Sequence, residues 1–251
     1  GSQAQAKTIR INKPRIIADL AKGESTVFQI DVINPTDEEA TIKVYPEDWE
    51  YDPAGNGDKA FYPPGTFDIS ASQWLTYAPD QFVLEPHGSQ TVSLTIQVPQ
   101  ELPKDGTFYS LLFFETALGQ TVNEQGAAVE VAGRVGSLIY VNVDGTVIRS
   151  GVVNDIQIRS GEGNKPTTFS VTFTNTGNTY IPLEGEFIVF DSEGLVKGRG
   201  ELSTMYTREG MRVTRETQWP TKLAPGTYDF IFTFNMGDGE ALVEERQFTV
   251  E

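Results

Sequence analysis

Hydrophobic and polar residues alternate along most of this chain with a period of two, the spacing of strands that turn one face to a core and the other to water. In residues 27–34, Phe28, Ile30 and Val32 oppose Gln29 and Asp31, and Asn34-Pro35-Thr36-Asp37 then supplies turn chemistry before Ile42 and Val44 resume the pattern. Residues 91–98 set Val92, Leu94, Ile96 and Val98 against Ser93, Thr95 and Gln97, and Pro99 ends the run because proline cannot donate to a ladder. Residues 107–116 are apolar on both faces, which predicts a strand in the middle of its sheet. The polar, glycine-bounded residues 118–126 predict a long mobile loop leading into a strand around residues 127–131.

After Leu138-Ile139-Tyr140-Val141-Asn142-Val143 the texture changes at Asp144-Gly145, and the same grammar begins again. Phe169, Val171 and Phe173 alternate with Ser170 and Thr172, and Asn175-Thr176-Gly177-Asn178 turns the chain. Residues 187–190 form a short apolar strand closed by Asp191-Ser192-Glu193-Gly194. Leu223-Ala224-Pro225-Gly226-Thr227 leads into Tyr228, Phe230, Phe232 and Phe234, four aromatics of one parity. The halves echo each other: Glu85-Pro86-His87-Gly88 and Ala224-Pro225-Gly226 each precede a core strand. Helical periodicity is nearly absent. Many short strands separated by turn signals predict an all-β protein of two tandem immunoglobulin-like β-sandwiches, over residues 8–144 and 145–251, with a pair of eight-stranded barrels as the alternative. A chain of 251 residues exceeds the usual single domain of roughly 100 to 150, in keeping with two cores.

Charge narrows the partners. Against 35 Asp and Glu stand 19 Lys and Arg, a formal net charge of -16. Nucleic acid and anionic headgroups are therefore disfavoured, since binding a polyanion begins with basic side chains releasing counterions. No apolar run approaches the roughly 20 residues that span a bilayer, so no membrane insertion is expected. The chain has no cysteine, which removes disulfides, thiolate metal sites and a cysteine nucleophile. Gly1-Ser2 reads as a cloning remnant and Gln3-Ala4-Gln5-Ala6-Lys7 as the small-residue edge beside a signal-peptidase cut, so an exported protein, periplasmic or extracellular, is expected.

Candidate chemistry is sparse. The one histidine, His87, sits in a turn beside Gly88 and Ser89, which argues against a triad or a histidine metal site. Residues 194–200, Gly-Leu-Val-Lys-Gly-Arg-Gly, follow a hairpin turn and lack phosphate-loop spacing. Acidic pairs such as Glu38-Glu39 and Glu244-Glu245 are commonplace at this composition and point to no glycosidase. A non-enzymatic protein without cofactor or metal is the expectation. Residues 52–58, Asp-Pro-Ala-Gly-Asn-Gly-Asp, offer oxygens in close succession but not the EF-hand pattern, so a turn-rich loop and a calcium loop stay open there. Around it, Trp49, Tyr51, Phe61 and Tyr62 either stack on a sugar or anchor a partner, or close one end of a core.

One stretch is familiar in order and spacing. Ser72-Gln73-Trp74-Leu75, then Phe82-Val83-Leu84-Glu85-Pro86-His87-Gly88, residues 91–99, Leu102-Pro103-Lys104-Asp105-Gly106 and Phe108-Tyr109-Ser110 resemble the N-terminal domain of PapD-type periplasmic pilus chaperones. Upstream, Pro14-Arg15-Ile16-Ile17 and residues 27–34 are similar to that family's first two strands, so the resemblance covers residues 8–143. The second half is only generically similar to a second such domain. The resemblance implies a divergent chaperone that adds a strand to an incomplete pilin-like subunit and grips the subunit's terminal carboxylate with an Arg and a Lys in an interdomain cleft. It assigns the Arg to Arg15 and the lent strand to Ala127, Val129 and Val131, extended to Val135. Ser137 falls where the Lys belongs, and Arg134 is the nearby substitute. The alternative is a cell-surface protein that recognises peptidoglycan, a glycan or another surface protein through Trp49, Tyr51, Phe61 and Tyr62.

Overall fold

The computed structural model describes residues 9–161 and 166–251. The expected signal-peptidase edge at residues 3–7 lies outside them. The first strands in chain order are β1 (Arg10–Ile11), β2 (Arg15–Leu20), β3 (Ser25–Ile33), β4 (Ala40–Tyr51), β5 (Lys59–Tyr62), β6 (Leu75–Ala78), β7 (Gln81–Leu84), β8 (Ser89–Gln97), β9 (Thr107–Val122) and β10 (Ala128–Val143). They are followed by β11 (Gly151–Arg159), β12 (Thr167–Asn175), β13 (Ile181–Asp191), β14 (Val196–Thr207), β15 (Arg212–Trp219), β16 (Gly226–Asn235) and β17 (Ala241–Val250). The helix among the described residues is one 3-10 turn, Ser72–Trp74, and no helix is long and apolar enough to cross a membrane. The protein is all-β, built as two β-sandwiches.

Contacts divide the chain into two units, Gly1–Trp49 with Phe61–Thr146, and Glu50–Ala60 with Val147–Glu251. In the first, β1, β3, β8 and β6 make one sheet, and β2, β10, β9, β4 and β5 the other, with β7 joined to β4. Alternation does what the sequence predicts. Ile30 and Val32 of β3, Val92, Leu94 and Ile96 of β8, and Ile139, Val141 and Val143 of β10 are buried. Each such side chain contributes at most about 1.5–3 kcal/mol of burial. β9 runs between β10 and β4, and its Leu111, Leu112, Phe113 and Phe114 are all buried, as its two apolar faces require.

The second unit pairs a sheet β11-β12-β15 with a sheet β14-β13-β16-β17. Phe169, Phe173, Phe187, Phe230, Phe232 and Phe234 are its largest fully buried side chains. Residues 50–60 belong here: the Tyr206 amide donates to the Gly55 carbonyl at 2.9 Å, and the Tyr51 and Tyr206 rings lie 5.8 Å apart. Only glycine fits at 55, where φ is +65° and a Cβ would come within 2.1 Å of Val213 Cγ1.

The echoed turns have a common cause. Asn34 is buried and its Nδ2 donates to the Glu38 carbonyl at 2.7 Å, while its Oδ1 accepts from the Thr36 amide. Buried Asn175 repeats this with the Thr179 carbonyl, at 2.9 Å, and the Gly177 amide. One asparagine per unit thus satisfies the backbone of the turn that follows a core strand.

One expectation fails outright. Residues 118–126 are not a long loop: β9 runs to Val122, β10 starts at Ala128, and the turn between them is short. Asn123 closes it by accepting the Gln125 and Ala127 amides on its Oδ1, and Gly126 takes φ +79°. Alternation hides this because the register shifts at Val131/Ala132, with Val131 facing Gly119 and Ala132 facing Ala117. Leu118 is the extra residue of this bulge, and Gly119 takes φ +113°.

Candidate functional site

The β9–β10 hairpin outruns its neighbours. β4 pairs with β9 only between Glu47↔Leu111 and Ile42↔Thr116, and β2 pairs with β10 only from Leu138 to Val143. Past Thr116 on β9 and before Leu138 on β10, the two strands pair only with each other among the described residues. The Leu138 amide donates to the Pro14 carbonyl at 2.9 Å. Backbone polar groups alternate from side to side along a strand, so residues 136, 134, 132, 130 and 128 turn their N–H and C=O groups the same way, where no strand stands among the described residues.

Side chains divide by the same parity. The odd residues of β10 continue the row of Ile139, Val141 and Val143, so Val135, Val131 and Val129 are core-facing side chains without a core over them. Val129 is 41% exposed and Val131 38%, while Val135 is half-buried. Leu118, 45% exposed, joins this face from β9, because a Cβ on Gly133 would meet its Cδ1 at 2.9 Å. Ala127, at the end of the turn, is exposed. An unpaired backbone row beside an unburied apolar row is the surface that accepts another strand.

The opposite, even-numbered face carries the basic groups. Arg15 pairs in register with Leu138, and its guanidinium carbon lies 5.5 Å from the Tyr140 ring centroid. It is exposed, and among the described residues no carboxylate forms an ion pair with it. Arg134 shares this face. Its guanidinium lies 3.8 Å over the Phe113 ring, and Nη1 donates to Glu47 Oε1 at 2.9 Å and Tyr45 Oη at 3.2 Å. Burial opposes its charge, but the hydrogen bonds to Tyr45 and Glu47 outweigh that and hold Arg134 above its ordinary pKa. The Tyr45 hydroxyl donates to Glu115 Oε2 at 2.5 Å, and burial first, then this bond, push its pKa up.

Ser137 corrects the expected register. It is buried, lies on the odd face away from Arg15, and donates from Oγ to the Lys13 carbonyl at 2.6 Å. A one-residue slip moves a side chain to the other side of its sheet, so Ser137 does not fill the place of a cleft lysine beside Arg15. On Arg15's own face the neighbours are Leu138 and Tyr140, with Arg134 further along β10.

The aromatic platform is also corrected. Trp49 is fully buried, donates from Nε1 to the Ser110 carbonyl at 3.0 Å, and packs edge-on against Tyr109 and Tyr140, each 5.5 Å away. Tyr51 is buried too. Neither offers a ring to a sugar. Phe61 remains 41% exposed and half-buried Tyr62 packs edge-on on Phe67, which leaves two of the four rings near the surface. In residues 52–58, Asp52 Oδ1 accepts the Ala54 amide and Asn56 Oδ1 the Asp58 amide, the bonds of a turn-rich loop. Among the described residues no three His, Asp or Glu side chains gather as metal ligands.

No family model matches the sequence, and no curated protein matches it. Solved structures do. The likeness is to fimbrial chaperones. The class 5 fimbriae chaperone CfaA is 13% identical, with 95% of this chain and 99% of that chain covered and a TM-score of 0.49. A chain of the Salmonella enterica SafA pilin complex with the SafB chaperone is 13% identical over 99% of both chains, with a TM-score of 0.45. The Pseudomonas aeruginosa CupB2 chaperone is 13% identical over 94% of this chain and 98% of that one, with a TM-score of 0.43.

Of the residues expected to bind a partner, the fold brings Val129, Val131 and Val135 into one row and sets Arg15 and Arg134 on the other face. Leu118 and Val122, both exposed, were not among them. The signal for Val122 was present, since Asn123-Glu124-Gln125-Gly126 is a hairpin turn with glycine at the left-handed position.

Proposed function

We propose that this protein is an assembly chaperone of the pilus type, which holds a pilin-like subunit in an exported compartment by pairing β10 with a strand position the subunit leaves open. The observation that carries the reading is that, among the described residues, no strand pairs with the outer edge of β10 between residues 128 and 136, coupled to the uncovered row Val129, Val131 and Val135. Backbone pairing supplies affinity without sequence demands, and covering each half-exposed valine adds roughly 1 kcal/mol. Arg15, exposed over Tyr140, is the residue placed to receive a carboxylate. Arg134 is committed to Glu47 and Tyr45, so it braces the face on which Arg15 stands.

The test is co-expression with candidate pilin-like subunits and measurement of subunit recovered on the purified chain. Val129→Glu with Val131→Glu is expected to reduce recovery at least tenfold while leaving the thermal midpoint within about 2 °C, as suits exposed positions. Undiminished recovery would refute strand addition at this edge. Arg15→Ala separates the second element: unchanged recovery with the valine variant still defective removes carboxylate capture and leaves the strand.

A further inference from the structure

The apolar row on β10 has a gap. Reading back from the core, Val135 is followed at the next core-facing position by Gly133, and only then by Val131 and Val129. A strand partner that met β10 alone would find a hole at 133. The fold closes it from the neighbouring strand, because the bulge inserts Leu118 into β9 and the side chain lies across Gly133, within 2.9 Å of where a Cβ would stand. Leu118 is 45% exposed, more than either valine, so it is not spent on the body of the sandwich.

We infer that Leu118 is a partner-binding residue, and that the ridge presented to a partner passes from β10 to β9 at Gly133: Val129, Val131, Leu118, Val135. This rests on the strand-addition reading and deepens it. The occupant follows from the chemistry of the arm. A row of unpaired backbone groups calls for an extended segment, and the ridge calls for apolar residues or pockets at alternate positions. Residues 117–133 carry Glu124 and Glu130 but no Lys or Arg, on a chain of net charge -16, so the matching segment bears cationic rather than acidic residues at its intervening positions. The bulge is then a device that aims a side chain, which is what bulges at sheet edges do.

The chain has no cysteine, so single substitutions Val131→Cys, Leu118→Cys and Val243→Cys each take one environment-sensitive fluorophore. The probe is a synthetic peptide in which Val alternates with Thr and Lys. Labels at 131 and 118 are expected to shift to the blue on titration, and the label at 243, on β17, is expected to stay unchanged. In unlabelled protein, Leu118→Ala and Val131→Ala should each weaken the peptide about tenfold, the worth of a partly covered side chain. Adding Gly133→Val to Leu118→Ala should restore most of that loss, since it rebuilds the ridge on β10 where the bulge residue no longer intrudes. Wild-type affinity in Leu118→Ala, or a silent label at 118 beside a responsive one at 131, overturns the role of Leu118 and leaves strand addition standing. Silence at both, with no measurable binding, overturns the strand-addition reading as well. Self-association of the wild type that the peptide fails to compete would reassign the edge to a second copy of the chain and overturn the proposed occupant.

Discussion

Two sheet edges in this molecule receive opposite treatment. β17, in the second unit, pairs on one side with β16 alone, just as the outer part of β10 pairs with β9 alone. Along β17 the residues that face the same way as Phe230 and Phe232 include Arg246 and Glu244, joined in an ion pair at 3.0 Å. An incoming strand would have to bury that pair, and inward-pointing charge is one of the ways a sheet edge is kept from adding strands. The equivalent row on β10 holds Val129, Val131 and Val135 and no charge. Both strands alternate, and among the described residues both lack a neighbour on one side. The difference is that one edge carries inward-facing charge and the other an uncharged apolar row, which is the contrast on which the strand-addition proposal rests.

Removing the guard should give the largest change. Glu244→Val with Arg246→Val turns the β17 row apolar, and sedimentation should then reveal concentration-dependent association at protein levels about tenfold below any seen for the unaltered chain. A strictly unchanged distribution would mean that the ion pair does not protect this edge. A smaller effect is expected from loosening the open edge at its tip. Asn123→Ala deletes the acceptor of two backbone amides, each bond worth about 0.5–0.7 kcal/mol at this exposed turn, so amides of residues 117–132 should exchange roughly five- to tenfold faster while the core strands keep their protection. Uniform exchange across the chain would contradict a locally held arm. The smallest effect concerns the far face of β10. The Tyr45 pKa is raised in the folded state, so its contribution to stability is complete below the ordinary value of 10.0 and is lost as pH rises above it. Denaturant unfolding above pH 10 should fall less steeply in Tyr45→Phe than in the parent, and equal slopes would show that Tyr45 titrates without coupling to the fold.

Much of this is legible in the sequence. Alternation located the strands that carry Ile30, Val92 and Phe230, and double-sided hydrophobicity put residues 107–116 in mid-sheet. The hairpin arm reads as a loop because residues 118–126 are polar and glycine-bounded, and the bulge with its left-handed glycine interrupts the alternation that would otherwise carry β9 on to Val122. The resemblance sets Ser137 at the place of a cleft lysine, but the register of β2 with β10 puts Leu138 opposite Arg15 and turns Ser137 to the other face, as a shift of one residue does along a strand. Trp49 and Tyr51 were open between a ligand platform and a core lid. Their burial depends on Tyr109, Tyr140 and Tyr206, residues that no local window brings near them.

By itself, then, the sequence determined that this chain is all-β, where most of its strands run, which side chains turn inward, and that its surface is acidic, because the pleat and the charge count are properties of neighbouring residues. The tertiary structure decided which strand goes without a neighbour, which aromatics vanish from the surface, and that residues 50–60 belong to the second unit. Those outcomes depend on pairings between segments far apart in the chain, and pairing energy is settled only when both partners are in place.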